Sequence, residues 1–181
     1  MEFYSRSENE NGEKEYLYEH LEKVAALAEV FAEQFGEAGA GRTVGLNHDL
    51  GKASELFQKV LDGTASGVNH ESAGAFLLWN TYKDRLLARV VYAHHKGLLW
   101  DIEAQLKRSV TEPGAHESRA ENRVFSVSSP EQLKTAVDYL KEHGLIAAKP
   151  KLIADSTSYY NNLPRMLHAR MLLSCLCDAD Y

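Results

Sequence analysis

The stretch GLNHDLGKASELFQ, residues 45–58, sets a histidine beside an aspartate and follows them at once with Leu50, Gly51 and Lys52. Val44 and Leu46 lead toward Leu50 at helical spacing, and Gly51 breaks the run. A helix therefore ends here on two ligand-type side chains. Ser54 is placed to cap a second short helix whose Leu56, Phe57, Val60 and Leu61 face inward. Neighbours on a regular helix point about 100° apart. His48 and Asp49 can therefore reach one point only near a helix end or across an axis. Alone, the stretch suits a solvated turn as well as a metal site, and the residues around it have to decide.

Outward from this stretch the pattern is helical almost throughout. Upstream, Leu17, Leu21, Val24, Ala28, Phe31 and Phe35 recur at three- and four-residue steps and stop at Gly36. Downstream, DGTASGVN reads as a loop, and two helices follow over about 71–82 and 84–95, parted near Lys83. Ser129, Pro130 and Gln132 form a capping box with proline at the first helical position, and Gly144 supplies the stop. A last helix begins near Leu163–Pro164 and runs through RMLHARMLLSCLCDA. Residues 109–129 are polar around a Pro113–Gly114 turn and read as an insertion or mobile loop. No convincing strand or repeat is visible. The expectation is an all-α bundle, one domain over residues 1–181, with 101–160 as its variable region.

Composition narrows the function classes. A chain of 181 residues with 44% hydrophobic and 25% charged residues suits a globular domain with a real core. No apolar run reaches the ~18 residues of a membrane span. The N-terminus MEFYSRSENENGEKEY lacks the apolar run of a signal peptide, so a cytoplasmic location is expected and no membrane partner. Cys175 and Cys177, two apart in an apolar segment, are no disulfide framework. Helical spacing points them apart, and packing is their expected role. The formal charge of −6 argues against a self-sufficient nucleic-acid binder, which carries a basic face.

The eight histidines are the main clue. His20 lies in register with Val24, Leu27 and Phe31, His94 with Leu87 and Val91, and Asp178 with Leu167, Met171 and Ser174. Each is therefore expected to point inward. Burying even a neutral polar group without a partner costs roughly 2–7 kcal/mol. Singly, each has an ordinary reading: a hydrogen-bonded core histidine, a polar helix end before Gly97, a solvated terminus. Jointly, His20, His48–Asp49, His70, His94–His95 and Asp178 are spread over five helices or helix ends and call for a common partner. Gly51 and Gly97 follow the two adjacent pairs and let the backbone turn there. The pair at 48–49 therefore reads as part of a site and not as a solvated turn.

At this point the sequence resembles a family. His20, His48–Asp49 and the late Asp178 look like the H…HD…D signature of the HD metal-dependent phosphohydrolases. NHESAGA with His70, AHHKGL with His94 and His95, and HDLGKASELFQ resemble more narrowly the HD nuclease domain of the CRISPR-associated helicase-nuclease of type I systems. The similarity runs over about 16–180, with 101–160 contributing little. It implies an HD-domain helical bundle holding two divalent metal ions. One ion would take His20, His48, Asp49 and Asp178. The other would take Asp49 as a bridge, with His70, His94 and His95. Asp49 and Lys52 would be the catalytic residues, Lys52 facing the scissile phosphate; the ordinary alternative is a solvated lysine at a helix end. Ser72 and Gly74 match small residues after His70, with packing as their expected role. Ala93 and Lys96 flank the double histidine where many relatives have glycine, a difference expected to act on loop shape. The chain stops at Tyr181 where relatives continue into a helicase, which suggests a fragment of a longer protein or else a stand-alone subunit.

The resemblance implies hydrolysis of single-stranded DNA in CRISPR interference, an antiviral defence. The helicase domain, in cis or in trans, and a guide-RNA surveillance complex would deliver the strand. A metal pair activates water and stabilises the leaving oxygen without a protein nucleophile. Five imidazoles and two carboxylates form a nitrogen-rich set that favours manganese, iron, cobalt, nickel or zinc over magnesium. Two such ions would bring the formal charge from −6 to −2, concentrated as a positive spot where phosphate must sit. Weak intrinsic DNA affinity and a preference for delivered single strands follow. Two rivals stay open: an HD phosphohydrolase acting on nucleotides or cyclic dinucleotides, and a metal-stabilised docking module without activity.

Overall fold

The computed structural model describes residues 2–98, 102, 106, 123–146 and 163–181. The chain forms α1 (Leu17–Glu33), α2 (Ala38–Asn47), a 3-10 turn (Leu50–Lys52) and α3 (Glu55–Leu61). After β1 (Val68–Asn69) come α4 (Glu71–Leu77), a π-turn (Leu78–Tyr82) and α5 (Arg85–Ala93). Then follow β2 (Val124–Phe125), α6 (Pro130–Glu142) and α7 (Leu163–Asp180). The all-α class is as the periodicity predicts. Among the described residues the departures are a parallel pair of two-residue strands, with Val68 opposite Val124 and Asn69 opposite Phe125, and a single antiparallel bridge between Tyr4 and Tyr16. So short a pair leaves no alternation to read. The expected loop at 109–129 lies largely outside the described residues, and its last part carries β2.

Local chemistry sets the element ends. The Ser54 hydroxyl accepts from the Phe57 amide and starts α3. The Asp84 carboxylate accepts from the Leu86 and Leu87 amides and starts α5. Ser129 accepts from the Gln132 amide behind Pro130, while the Gln132 side chain reaches back to the Ser128 amide at 2.8 Å. The run expected over 71–82 widens into the π-turn at Leu78 and ends at Lys83, whose φ of 55° is left-handed.

Two apolar clusters hold the bundle. One joins α1, α2, α4, α5 and α7 around Val24, Val44, Leu87, Val91, Leu172 and Leu176. The other joins the N-terminal segment to α1 and α6 through Phe3, Leu17, Leu21, Leu50, Tyr139 and Leu140. Helix α5 is the central strut: every residue after Arg85 is buried. The face of α1 that enters the core is narrower than the sequence suggests. Leu17, Leu21, Val24, Ala25, Ala28 and Ala32 are buried, whereas Leu27 and Phe31 are 46% and 38% exposed. Likewise only Phe57 of the inward set expected on α3 is fully buried. Close approach sets the helix spacing. A Cβ on Gly74 would collide with the Asn47 carbonyl, so α4 lies directly against the end of α2 where His48 begins. No helix among the described residues is long and apolar enough to cross a membrane.

Candidate metal centre

The bundle gathers its ligand-type residues from helix ends. His20 lies in the first turn of α1. His48 caps the C-terminus of α2, and Asp49 opens the 3-10 turn. His70 is the N-terminal cap residue of α4, and His94 the C-terminal cap residue of α5 with His95 next to it. At helix ends the backbone leaves its regular path, which is what lets adjacent residues aim at one place.

Asp49 is the hinge of the arrangement. Its Oδ2 lies 3.3 Å from His20 Nε2 and 3.2 Å from His48 Nε2. Its Oδ1 lies 3.1 Å from His70 Nε2 and 3.7 Å from His94 Nε2. His95 Nε2 is 3.2 Å from His70 Nε2, which extends the second set. Two donor groups result, His20–His48–Asp49–Asp180 and Asp49–His70–His94–His95, each with one ligand atom per residue inside a 4.8 Å sphere of mutual separation. They share Asp49, one carboxylate oxygen turned to each.

Six of the seven expected ligands meet here, and the seventh does not. Asp178 is exposed, and its carboxylate accepts from the Ser174 hydroxyl at 3.4 Å. The aspartate at the site is Asp180, with Oδ1 3.2 Å from His20 Nε2 and 3.3 Å from His48 Nε2. The helical phase explains the correction. Leu172, Cys175, Leu176 and Ala179 form the buried face of α7, and Asp180 follows Leu176 by one turn. Leu167 and Ser174, which seemed to bring Asp178 inward, are exposed. Neither Cys175 nor Cys177 enters a donor group, and both are free thiols.

Lys52 lies against the centre. Its Nζ is 2.6 Å from Asp49 Oδ2 and donates to the Ser5 carbonyl at 3.0 Å. Burial resists charge on Asp49, but the charges of His48 and Lys52 and the hydrogen bonds of His20 and His48 hold its carboxyl well below the usual range. Burial also resists charge on His48, yet Asp49 and Asp180 push it up to about 10. Asp180 is held well below its ordinary value by His20 and His48 against its own burial. His95 moves the other way, down to about 4, through burial and the neighbouring His94 and His70. One donor group is thus a compact lattice of opposite charges, while in the other the His95 ring resists protonation.

The residues fit a bound cation. Asp49 Oδ1 and His94 Nε2 are buried without a hydrogen-bond partner among the described residues, an arrangement that costs free energy unless something positive sits there. The Nδ1 atoms of His48 and His94 face the carbonyls of Gly45 and Val91, which leaves both Nε2 atoms aimed into the centre. The inner wall is buried, His48 at 0% and His94 at 1% side-chain exposure. His95 is exposed, and Asp180 half-buried, on the outer edge.

Sequence reasoning missed three supporting residues. Glu71 is fully buried, and Arg123 grips it with two nitrogens at 3.0 and 3.3 Å while also donating to the Val68 carbonyl. The pair locks β1 to α4 on either side of His70. NHESAGA showed the glutamate, but its partner lies 52 residues away. Glu15, beside His20, was also missed.

Comparison with curated proteins gave no significant match. The family model for the HD domain matches residues 17–149, a span that holds six of the seven gathered donors and stops short of Asp180. A histidine–aspartate pair on a helix end, ringed by further histidines within one helical bundle, agrees with that match. The chain belongs to the HD-domain family, whose members are metal-dependent phosphohydrolases.

Proposed function

We propose that the protein is a metal-dependent nuclease that hydrolyses phosphodiesters of single-stranded DNA in CRISPR interference. The observation that carries the reading is the bridging Asp49, which offers one oxygen to each of two donor groups. His20, His48, Asp49 and Asp180 would hold one divalent ion, and Asp49, His70, His94 and His95 a second. Bound there, such ions supply Lewis-acid activation of water and of the phosphoryl group.

The chain's own residues supply the rest. The main-chain carbonyls of Gly45 and Val91 fix the rings of His48 and His94. Lys52 sets a positive charge beside the bridging carboxylate, where it would attract an anionic substrate. The outer edge at His95 and Asp180 is open to solvent, which suits a chain laid across the centre. Manganese, iron, cobalt, nickel and zinc are the cations suited to five imidazoles. With a net charge of −6, the protein depends on delivery of its strand by a helicase, in cis or in trans, and a guide-RNA surveillance complex in the cytoplasm.

The test incubates manganese-loaded protein with circular single-stranded DNA, duplex DNA and a panel of nucleotides and cyclic dinucleotides. Cleavage of the single-stranded circle, abolished by Asp49→Ala, is the expected result. Hydrolysis confined to the nucleotides would transfer the assignment to a small-molecule phosphohydrolase.

A further inference from the structure

A histidine that offers Nε2 to a metal is usually steadied through its Nδ1, because that contact fixes ring and tautomer together; in the second donor group His70 Nδ1 is buried without a hydrogen-bond partner among the described residues. His48 and His94 use carbonyls of their own helices. His20 differs. Its Nδ1 faces a side chain, Glu15 Oε2, at 3.5 Å.

Glu15 is itself held in place. Ser5 Oγ donates to Oε2 at 3.0 Å, Arg6 lies 3.1 Å from the same oxygen, and Lys23 lies 2.8 Å from Oε1. With 12% side-chain exposure, the carboxylate has little freedom to leave the ring. The same segment touches the centre a second time, where the Ser5 carbonyl accepts from Lys52 Nζ. A short hairpin makes both contacts possible. Tyr4 bridges Tyr16, the Ser5 amide donates to the Glu15 carbonyl at 2.9 Å, and the Leu17 amide donates to the Phe3 carbonyl at 2.8 Å. Gln58 clamps both main-chain groups of Tyr4 at 3.1 Å, and Phe3 is buried edge-on against Tyr139. Both contacts fall on the Asp49 Oδ2 side, where His20 and Lys52 lie. The supporting groups, on Glu15 and Ser5, precede the span matched by the family model.

We propose that the N-terminal hairpin, residues 3–16, is a positioning element of the metal centre. The Glu15 carboxylate orients His20, the Ser5 carbonyl orients Lys52, and the support goes to the His20–His48–Asp49–Asp180 group alone. This rests on the reading of the two donor groups as metal sites.

The test is a manganese titration by calorimetry, with elemental analysis and thermal melts, on wild type, Glu15→Ala, Glu15→Gln and His20→Ala. Wild type is expected to bind at two sites. Glu15→Ala should weaken one of them by about 10–100-fold, the usual effect of losing a ligand's supporting contact, and leave the other unchanged. His20→Ala should abolish that same site. Glu15→Gln should recover part of the loss, because its amide oxygen still accepts from Nδ1–H. Wild-type affinity at both sites in Glu15→Ala overturns the proposal. So does an equal weakening of both sites that tracks a lowered melting temperature, the signature of a merely structural role. A wild type that takes up no manganese removes the metal reading itself, and the positioning role with it.

Discussion

Two aspartates two positions apart divide the end of α7 between solvent and site. On a helix they point about 200° apart, so one facing His20 sends the other outward. Asp180 faces in, 3.2 Å from His20 Nε2, and Asp178 faces out. The expected consequence is sharp. Asp180→Ala lowers bound manganese by about one ion per chain in elemental analysis, while Asp178→Ala leaves the metal content unchanged. A loss in the second variant and none in the first would reverse the assignment. Both residues are legible in SCLCDAD; which one counts depends on the phase of α7, and its apolar residues are too evenly spread for the sequence to reveal a face.

At the scale of elements, helix ends do the aiming, and the packing of neighbouring elements holds them there. Helix α6 reaches α1 through Tyr139, whose hydroxyl accepts from the Tyr18 amide at 3.0 Å, two residues before His20. Burial pushes that phenol up to about 12 from an ordinary 10.0. The folded state thus favours the neutral ring. Its contribution is intact below about pH 10 and fades as pH climbs through about 12, because the unfolded chain ionises first. Urea midpoints should therefore fall between pH 9 and pH 11, and fall less in Tyr139→Phe. An equal slope in the variant would show that Tyr139 does not carry the effect. Tyr16, Tyr18 and Tyr82, raised as well, retain part of the slope. The caps at Ser54 and Ser129 were visible in the sequence because capping is local. The π-turn and the strand pair were not, since nothing local distinguishes them from an ordinary helix and loop.

For the whole molecule, metal binding is folding free energy, because no unfolded chain holds these donors together. A site filled at about 100 times its dissociation constant adds ~2.7 kcal/mol. In a domain of this size that is roughly 5–10 °C of melting temperature. Adding manganese to chelator-treated protein should raise the melting temperature by at least that much, and Asp49→Ala should flatten the response. An unchanged melting curve would argue against metal at this centre. The net charge of −6 acts at the same scale, weakening association with any polyanion.

The sequence by itself determined the helical class, through three- and four-residue apolar periodicity and local caps, and it singled out five histidines and Asp49, which the structure gathers in one place. These are one-dimensional signals, read within a turn or two of each residue. Only the tertiary structure decided that Asp180 and not Asp178 joins them, that Arg123 secures Glu71 beside His70, and that Glu15 stands behind His20. The first depends on how one helix is rotated against its neighbours. The second depends on a contact across 52 residues, and the third on the fold-back of a hairpin. Rotation, distant pairing and fold-back are settled by packing, and packing has no local trace in the order of residues.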